Sequence, residues 1–175
     1  GQLTIHHSSV SLPMSATRYM GGLVGMVNCP VNIYNCYTDC YLTGANLGGL
    51  IGGAGGRARI NLQNFYTAGY GLAENRAAGW VGFEENVSPL KNATNGYSAM
   101  SLELTGDSDT GEADRRIYTT AYDCVNATRA YYLPLVNTTD CRNSAVEAIS
   151  YEVLTGKEAL ESLQAPFALG TSGQT

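Results

Sequence analysis

The densest group of chemistry-capable side chains is the acidic run Asp107-Ser108-Asp109-Thr110-Gly111-Glu112-Ala113-Asp114. Alternating carboxylates near a glycine can wrap oxygen ligands around Ca²⁺, which makes Asp107, Asp109 and Asp114 the candidate metal ligands. The glycine arrives one place early for an EF-hand loop and the bidentate Glu at its twelfth position is absent, so the competing expectation is a solvated acidic turn. His6-His7 followed by Ser8-Ser9 sets a base beside hydroxyls in sequence. Nucleophilic catalysis also needs a third group to hold the base and an exposed, strained serine, which adjacency does not provide. Glu74, Glu84 and Glu85 are the carboxylates from which a glycosidase pair would be drawn. Neither G-x-S-x-G nor H-E-x-x-H occurs. Gly52-Gly53-Ala54-Gly55-Gly56 lacks the Lys-Ser/Thr that completes a phosphate loop. The sequence therefore predicts no catalytic machinery, and no cofactor beyond that Ca²⁺ candidate.

Five cysteines leave at least one unpaired in any disulfide scheme. Cys124 and Cys141 flank a tyrosine-rich segment and are the disulfide candidate, a loop closure worth about 3 kcal/mol. Cys29, Cys36 and Cys40 crowd together and leave a further pair open, the alternative being small buried thiols. Asn86, Asn92, Asn126 and Asn137 stand in N-x-[ST] sequons and are glycosylation candidates. Twelve tyrosines against three phenylalanines is an unusual balance. Tyr37, Tyr66 and Tyr97 fit half-buried strand positions, whereas Tyr19, Tyr34, Tyr41, Tyr70, Tyr118 and Tyr122 are candidates for exposed contacts with a sugar or a protein.

The elements that would position these groups are strands. Glycine accounts for 21 of 175 residues and charged residues for 14 %, against a typical quarter. Glycine, tyrosine and β-branched residues at low charge favour strands and tight corners. A net charge of −5 and scattered arginines argue against nucleic acid, which requires a basic footprint. No segment reaches the roughly 18 consecutive apolar residues of a membrane helix. The opening Gly1-Gln2-Leu3-Thr4-Ile5 is unlike a signal peptide, so any export signal is expected to have been removed or to lie upstream.

Internal repetition organises the chain. Gly21-Gly22-Leu23-Val24-Gly25 recurs as Gly48-Gly49-Leu50-Ile51-Gly52 and, weakened, as Ala78-Gly79-Trp80-Val81-Gly82, at intervals of 27 and 30 residues. Asn35-Cys36-Tyr37-Thr38, Asn64-Phe65-Tyr66-Thr67 and Asn95-Gly96-Tyr97-Ser98 keep step at 29 and 31, and Ser8-Ser9-Val10-Ser11 is a degenerate earlier copy with Ile5 in the role of Ile33 and Ile60. Such a period suits one coil of short strands that stacks on its neighbours around a single apolar interior. Alternation places Ile33, Asn35 and Tyr37 on one face, and Ile60, Leu62, Asn64 and Tyr66 on another such face. The glycine pairs are expected to supply positive φ and close backbone approach where the coil bends, and the recurring Asn a side-chain ladder.

The G-G-L-[VI]-G blocks with their I-x-N-C-Y-T-like strands resemble the GLUG motif of bacterial secreted and surface proteins, including adhesins and the non-catalytic regions of immunoglobulin A peptidases. Arg129-Ala130-Tyr131-Tyr132-Leu133 resembles the N-C-Y-Y-L strand that closes such arrays, and Leu154 to Leu160 is similar to the segment that follows it. The resemblance implies an exported location, secreted or on the cell surface, and no reaction. The fold expected is all-β: a right-handed parallel β-solenoid, or β-helix, of about three to four coils with an irregular C-terminal cap and one short helix. Repeats fill residues 1–98. Residues 99–175 form the cap or insert, a terminal strand and a helix from Lys157 to Leu163 capped by Thr155, packed on the same solenoid. The function expected is that of a non-enzymatic extracellular module for adhesion or structural display, with a protein or carbohydrate surface ligand, no nucleic acid and no membrane span. The alternatives are a self-assembling fibre subunit binding copies of itself, and an accessory region of a larger secreted enzyme.

Overall fold

The computed structural model describes residues 1–85, 89–105, 116–134 and 146–155. The first coil is cut into short strands, β1 (Leu3–His6), β2 (Ser9–Val10), β3 (Pro13–Ser15), β4 (Tyr19–Gly21) and β5 (Val24–Val27). The next two coils each carry one long strand and one short one: β6 (Pro30–Gly48) with β7 (Ile51–Ala54), then β8 (Arg59–Ala78) with β9 (Val81–Glu84). β10 (Leu90–Leu104), β11 (Arg116–Tyr118), β12 (Cys124–Tyr132) and β13 (Val146–Ala148) follow, and the helix α1 spans Tyr151–Thr155. All strand pairs are parallel, and each strand lies on its counterpart one coil on: β1-β6-β8-β10-β12-β13 in the large sheet and β5-β7-β9 in the small one. The result is a β-solenoid of about three turns, with further partial coils at its ends.

The glycine blocks stack as the repeat requires. Leu23 N donates to Leu50 O and Leu50 N to Trp80 O, both at 3.0 Å, and Trp80 N donates to Thr120 O at 2.6 Å. Thr119-Thr120-Ala121 therefore occupies the corner of the next coil with no glycine at all. Likewise β10 stays in register with β8 as far as Leu104, and β11 pairs Ile117 with Ala77. The break read at residue 99 is not a break in pairing: residues 99–104 and 116–121 extend the coil, and the divergent stretch lies between them, outside the described residues. The expected Lys157–Leu163 helix also lies outside them. α1 begins six residues earlier, with Ser150 Oγ accepting from Val153 N at 3.2 Å as its cap.

Two expectations about local geometry are corrected. Among the described glycines only Gly69 has positive φ. The corner glycines are needed for space instead: a Cβ on Gly49 would overlap Gly79 O and meet the Thr67 side chain, and one on Gly48 would overlap Ile51 O. Positive φ falls on the recurring Asn. His7, Asn35, Asn64, Asn95 and Arg129, one per coil, have φ of 49 to 55°. Asn tolerates this conformation better than most residues. This left-handed residue breaks the two-residue alternation, so Ile33 and Cys36 both point inward and Tyr37 points out. Ile33, Asn35 and Tyr37 do not share a face.

The interior is also not one body. Val31, Ile33, Leu50, Ile60, Phe65, Trp80 and their neighbours form the larger cluster, while Met20, Leu42, Leu47, Met100 and Leu102 belong to a second. Between them the coil narrows to a waist. The buried Thr38, Thr67 and Ser98 line one wall, and the side-chain-free Gly22, Gly49 and Gly79 press against them from the other. Thr38 Oγ1 bridges the waist by donating to Gly49 O at 2.9 Å.

Asparagine ladders tie the coils together. Asn95 Nδ2 donates to Asn64 Oδ1 at 2.7 Å, and Asn64 Nδ2 to Asn35 Oδ1 at 2.8 Å. A second ladder runs Asn126, Asn92, Asn61, Asn32, with amide-to-carbonyl distances of 3.2, 2.6 and 2.9 Å. Substituting Asn64 separates the two roles of the position. Asn64→Gly keeps the backbone accessible and loses two side-chain bonds, so it should cost about 1–2 kcal/mol. Asn64→Ala adds the left-handed strain, for a total of roughly 2–4 kcal/mol. Urea unfolding of the two variants measures the difference.

Candidate functional site

The outward side chains of the large sheet form a face with its own order. Along β6, Tyr37, Asp39 and Tyr41 point to solvent while Cys36, Thr38, Cys40 and Leu42 point in. Parallel in-register pairing then places Tyr37 beside Tyr66, Tyr97 and Tyr131, and Tyr41 beside Tyr70. Tyr37, Tyr66 and Tyr97 stack at 4.7 and 5.1 Å between centroids with planes within 8° of parallel, and Tyr41 stacks on Tyr70 at 5.1 Å. Ring spacing follows coil spacing, about 4.8 Å in any sheet. Because the ring faces lie on one another, solvent meets ring edges and hydroxyls.

The hydroxyls of Tyr66, Tyr70 and Tyr97 hold their protons to higher pH than a free tyrosine. Burial first, then the neighbouring Tyr37 and Asp39, pushes Tyr66 up to about 12. Burial raises Tyr97 further still. A hydrogen bond to the Glu103 carboxylate, then desolvation, holds Tyr70 at about 12. The face is a set of stacked rings carrying hydroxyls, with the Asp39 side chain between Tyr37 and Tyr41, an arrangement suited to a rigid contact surface.

This reverses part of the tyrosine reading. Tyr66 and Tyr97 are partly buried as expected and Tyr37, at 40 % exposed, heads their column, whereas Tyr118, expected at the surface, is 5 % exposed and packs edge-on against Tyr122. Tyr41, at 49 %, is exposed as expected. Tyr19, Tyr34, Tyr70 and Tyr122 are partly buried. The inward-outward switch at the left-handed Asn35, invisible to simple alternation, turns Tyr37 to the side opposite Ile33.

The other candidates scatter. Asp107, Asp109, Asp114, Asn86, Asn137 and Cys141 lie outside the described residues. Among the described residues no group of three or more His, Cys, Asp or Glu could hold a metal ion. None of the described helices is long and apolar enough to cross a membrane. Cys124 is buried, and Cys29, Cys36 and Cys40 are thiols without a disulfide among them. Cys36 Sγ donates to Tyr34 O and Cys40 Sγ to Val10 O, both at 3.3 Å. The sequon residues Asn92 and Asn126 are ladder members, and Asn126 Nδ2 contacts both Asn92 Oδ1 and Lys91 O. This second ladder was missed, although N-x-x-N spacing at Asn32-Asn35, Asn61-Asn64 and Asn92-Asn95 signals it. His7 Nε2 extends the first ladder at 3.0 Å from Asn35 Nδ2, and His6 stacks on Tyr34.

The three glutamates do not face a common cleft. Glu85 Oε2 accepts from Gly56 N at 3.0 Å, and Glu74 is exposed on β8. Both Glu84 oxygens are shielded from solvent, with the Tyr122 and Asp123 backbone amides against the carboxyl. Burial pushes the Glu84 carboxyl up to about 8; Asp123 adds to the rise, while the Tyr122 and Asp123 amides and the Arg76 guanidinium oppose it. A raised folded-state value means that stability is fully present below the unfolded value near 4.3 and is lost as pH rises toward about 8. Glu84→Gln should match the parent at pH 4 and exceed it increasingly up to pH 8, by a few kcal/mol in order of magnitude. Melting curves across that range test this.

Comparison with protein-family models, curated proteins and solved structures found no match for the chain. The functional reading therefore rests on the face itself.

Proposed function

We propose that this chain is a non-catalytic binding module of an exported surface protein, gripping a ligand through the tyrosine-bearing flank of its solenoid. One observation carries the reading: Tyr37, Tyr66, Tyr97, Tyr131, Tyr41 and Tyr70 all emerge on one sheet face, held in two columns by in-register pairing. Side chains already ordered by stacking lose little further freedom on binding, which favours contact area over flexibility. The likeness of the glycine blocks to the GLUG motif of secreted and surface proteins supports the exported setting. In the test, beads coated with the chain are offered to cell monolayers. Parent beads should adhere well above uncoated ones, and Tyr37→Ser/Tyr41→Ser beads several-fold less. Parent beads that adhere no better than uncoated beads would refute the reading.

A second reading is favoured by the first coil. β1 to β4 have a partner only in β6 and β5 only in β7, so one backbone edge of the stack is open among the described residues. An open edge templates another strand, and end-to-end stacking would build a fibre. Sedimentation over a concentration series separates the two, since growth into filaments visible by electron microscopy requires the edge.

A further inference from the structure

A groove of about 390 Å³ crosses the coils beside the tyrosine face, and no role given above uses it. Each of four successive coils contributes to it: Ser15 and Thr17, then Thr43, then Leu72 and Glu74, then Thr105. Its position is set by a bulge. β6 and β8 pair regularly through Gly44 and Ala73, then resume at Asn46 and Arg76, so Ala45 opposes both Glu74 and Asn75. Glu74, next after the buried Ala73, points out to solvent. Gly44 lets neighbouring coils approach closely here, since a Cβ there would lie 2.9 Å from Ala16 O and 3.1 Å from the Met20 Cβ. At the far end Thr105 N is anchored on Ala73 O at 2.7 Å.

We infer that this groove binds a carbohydrate chain running along the solenoid axis. The inference rests on the surface-binding reading and names the ligand class. Four hydroxyl side chains and one carboxylate line the groove. That composition matches a ligand whose own surface is hydroxyls, with Glu74 able to accept from two neighbouring sugar hydroxyls in charge-assisted bonds. The polar groups recur at the coil spacing of about 4.8 Å, close to the length of one pyranose unit. Leu72 supplies an apolar patch for a sugar's C–H face. Tyr41 and Tyr70 stand two residues before Thr43 and Leu72, hence on the same side of the sheet. A peptide fits less well. One way extended peptides bind is by adding to a free strand edge, and β6 and β8 are paired on both sides here, which leaves the β3 edge at one end of the groove.

The full chain is screened on a glycan array, and the oligosaccharides retained are titrated calorimetrically against the parent, Glu74→Gln and Thr43→Val. Oligosaccharides carrying an unsubstituted vicinal diol should bind the parent, with roughly tenfold or greater loss for Glu74→Gln and a several-fold loss for Thr43→Val. Glu74 is exposed, so its variant should keep the parent's circular dichroism. Retention of no oligosaccharide, equal binding by Glu74→Gln, or preferential binding of a polylysine peptide would each overturn the groove. If beads still adhere to cells while no glycan binds, the groove falls and the surface-binding reading stands. If neither occurs, both fall.

Discussion

Valine in place of Gly49 should abolish the cooperative unfolding transition, or lower stability by more than about 4 kcal/mol. Gly49 sits at the waist with three coils converging on it. Its carbonyl accepts from Gly22 N at 3.1 Å, its amide donates to Ala78 O at 3.1 Å, and any Cβ would overlap Gly79 O. A flexible side-chain tip giving way would not help, because the nearest obstacle is main chain. A typical domain has only 5–15 kcal/mol of stability, roughly, so one such substitution removes much of it. Gly25 is the control. The nearest atom to a Cβ at that position is Tyr19 O at 3.2 Å, and Gly25→Ala should cost about 1 kcal/mol or less. Urea titration followed by circular dichroism reads both. Equal effects would mean that the glycines serve something other than the narrow waist.

Trp80→Ala should cost about 3–5 kcal/mol. The indole is fully buried in the larger cluster and meets Phe65 edge-on at 5.0 Å. Its Nε1 has no hydrogen-bond partner among the described residues. Trp80→Phe removes that unsatisfied donor while keeping most of the ring contact, and should cost less than about 1.5 kcal/mol. Backbone circular dichroism must follow the unfolding, because Trp80 is the chain's one tryptophan.

These positions show what the sequence made legible. Two glycine-led blocks and an Asn-led block in step were enough to predict stacked coils, because only a solenoid lets one short pattern bury its apolar side against a copy of itself. Leu23, Leu50 and Trp80 accordingly lie over one another. Direction within a coil was harder. The period-two rule fails wherever one residue turns left-handed, and Asn35 and Asn64 do so. That error sent Tyr37 to the wrong side and hid the stacked columns. The Thr119-Thr120-Ala121 corner was missed for another reason. Hydroxyl side chains replace glycines there while the backbone path is kept, so the register persists where the letters do not. The Glu74 groove was beyond reach altogether, since its bulge emerges only when β6 and β8 are paired residue by residue.

The claim beneath all of this is that the glycine corners of successive coils hydrogen-bond directly to one another. Through-hydrogen-bond scalar couplings between amide nitrogen and carbonyl carbon, measured by NMR, test it most directly. A stacked solenoid predicts couplings from Leu23 N to Leu50 C′, from Leu50 N to Trp80 C′ and from Trp80 N to Thr120 C′. Couplings that instead join each of these amides to carbonyls within its own segment would contradict it.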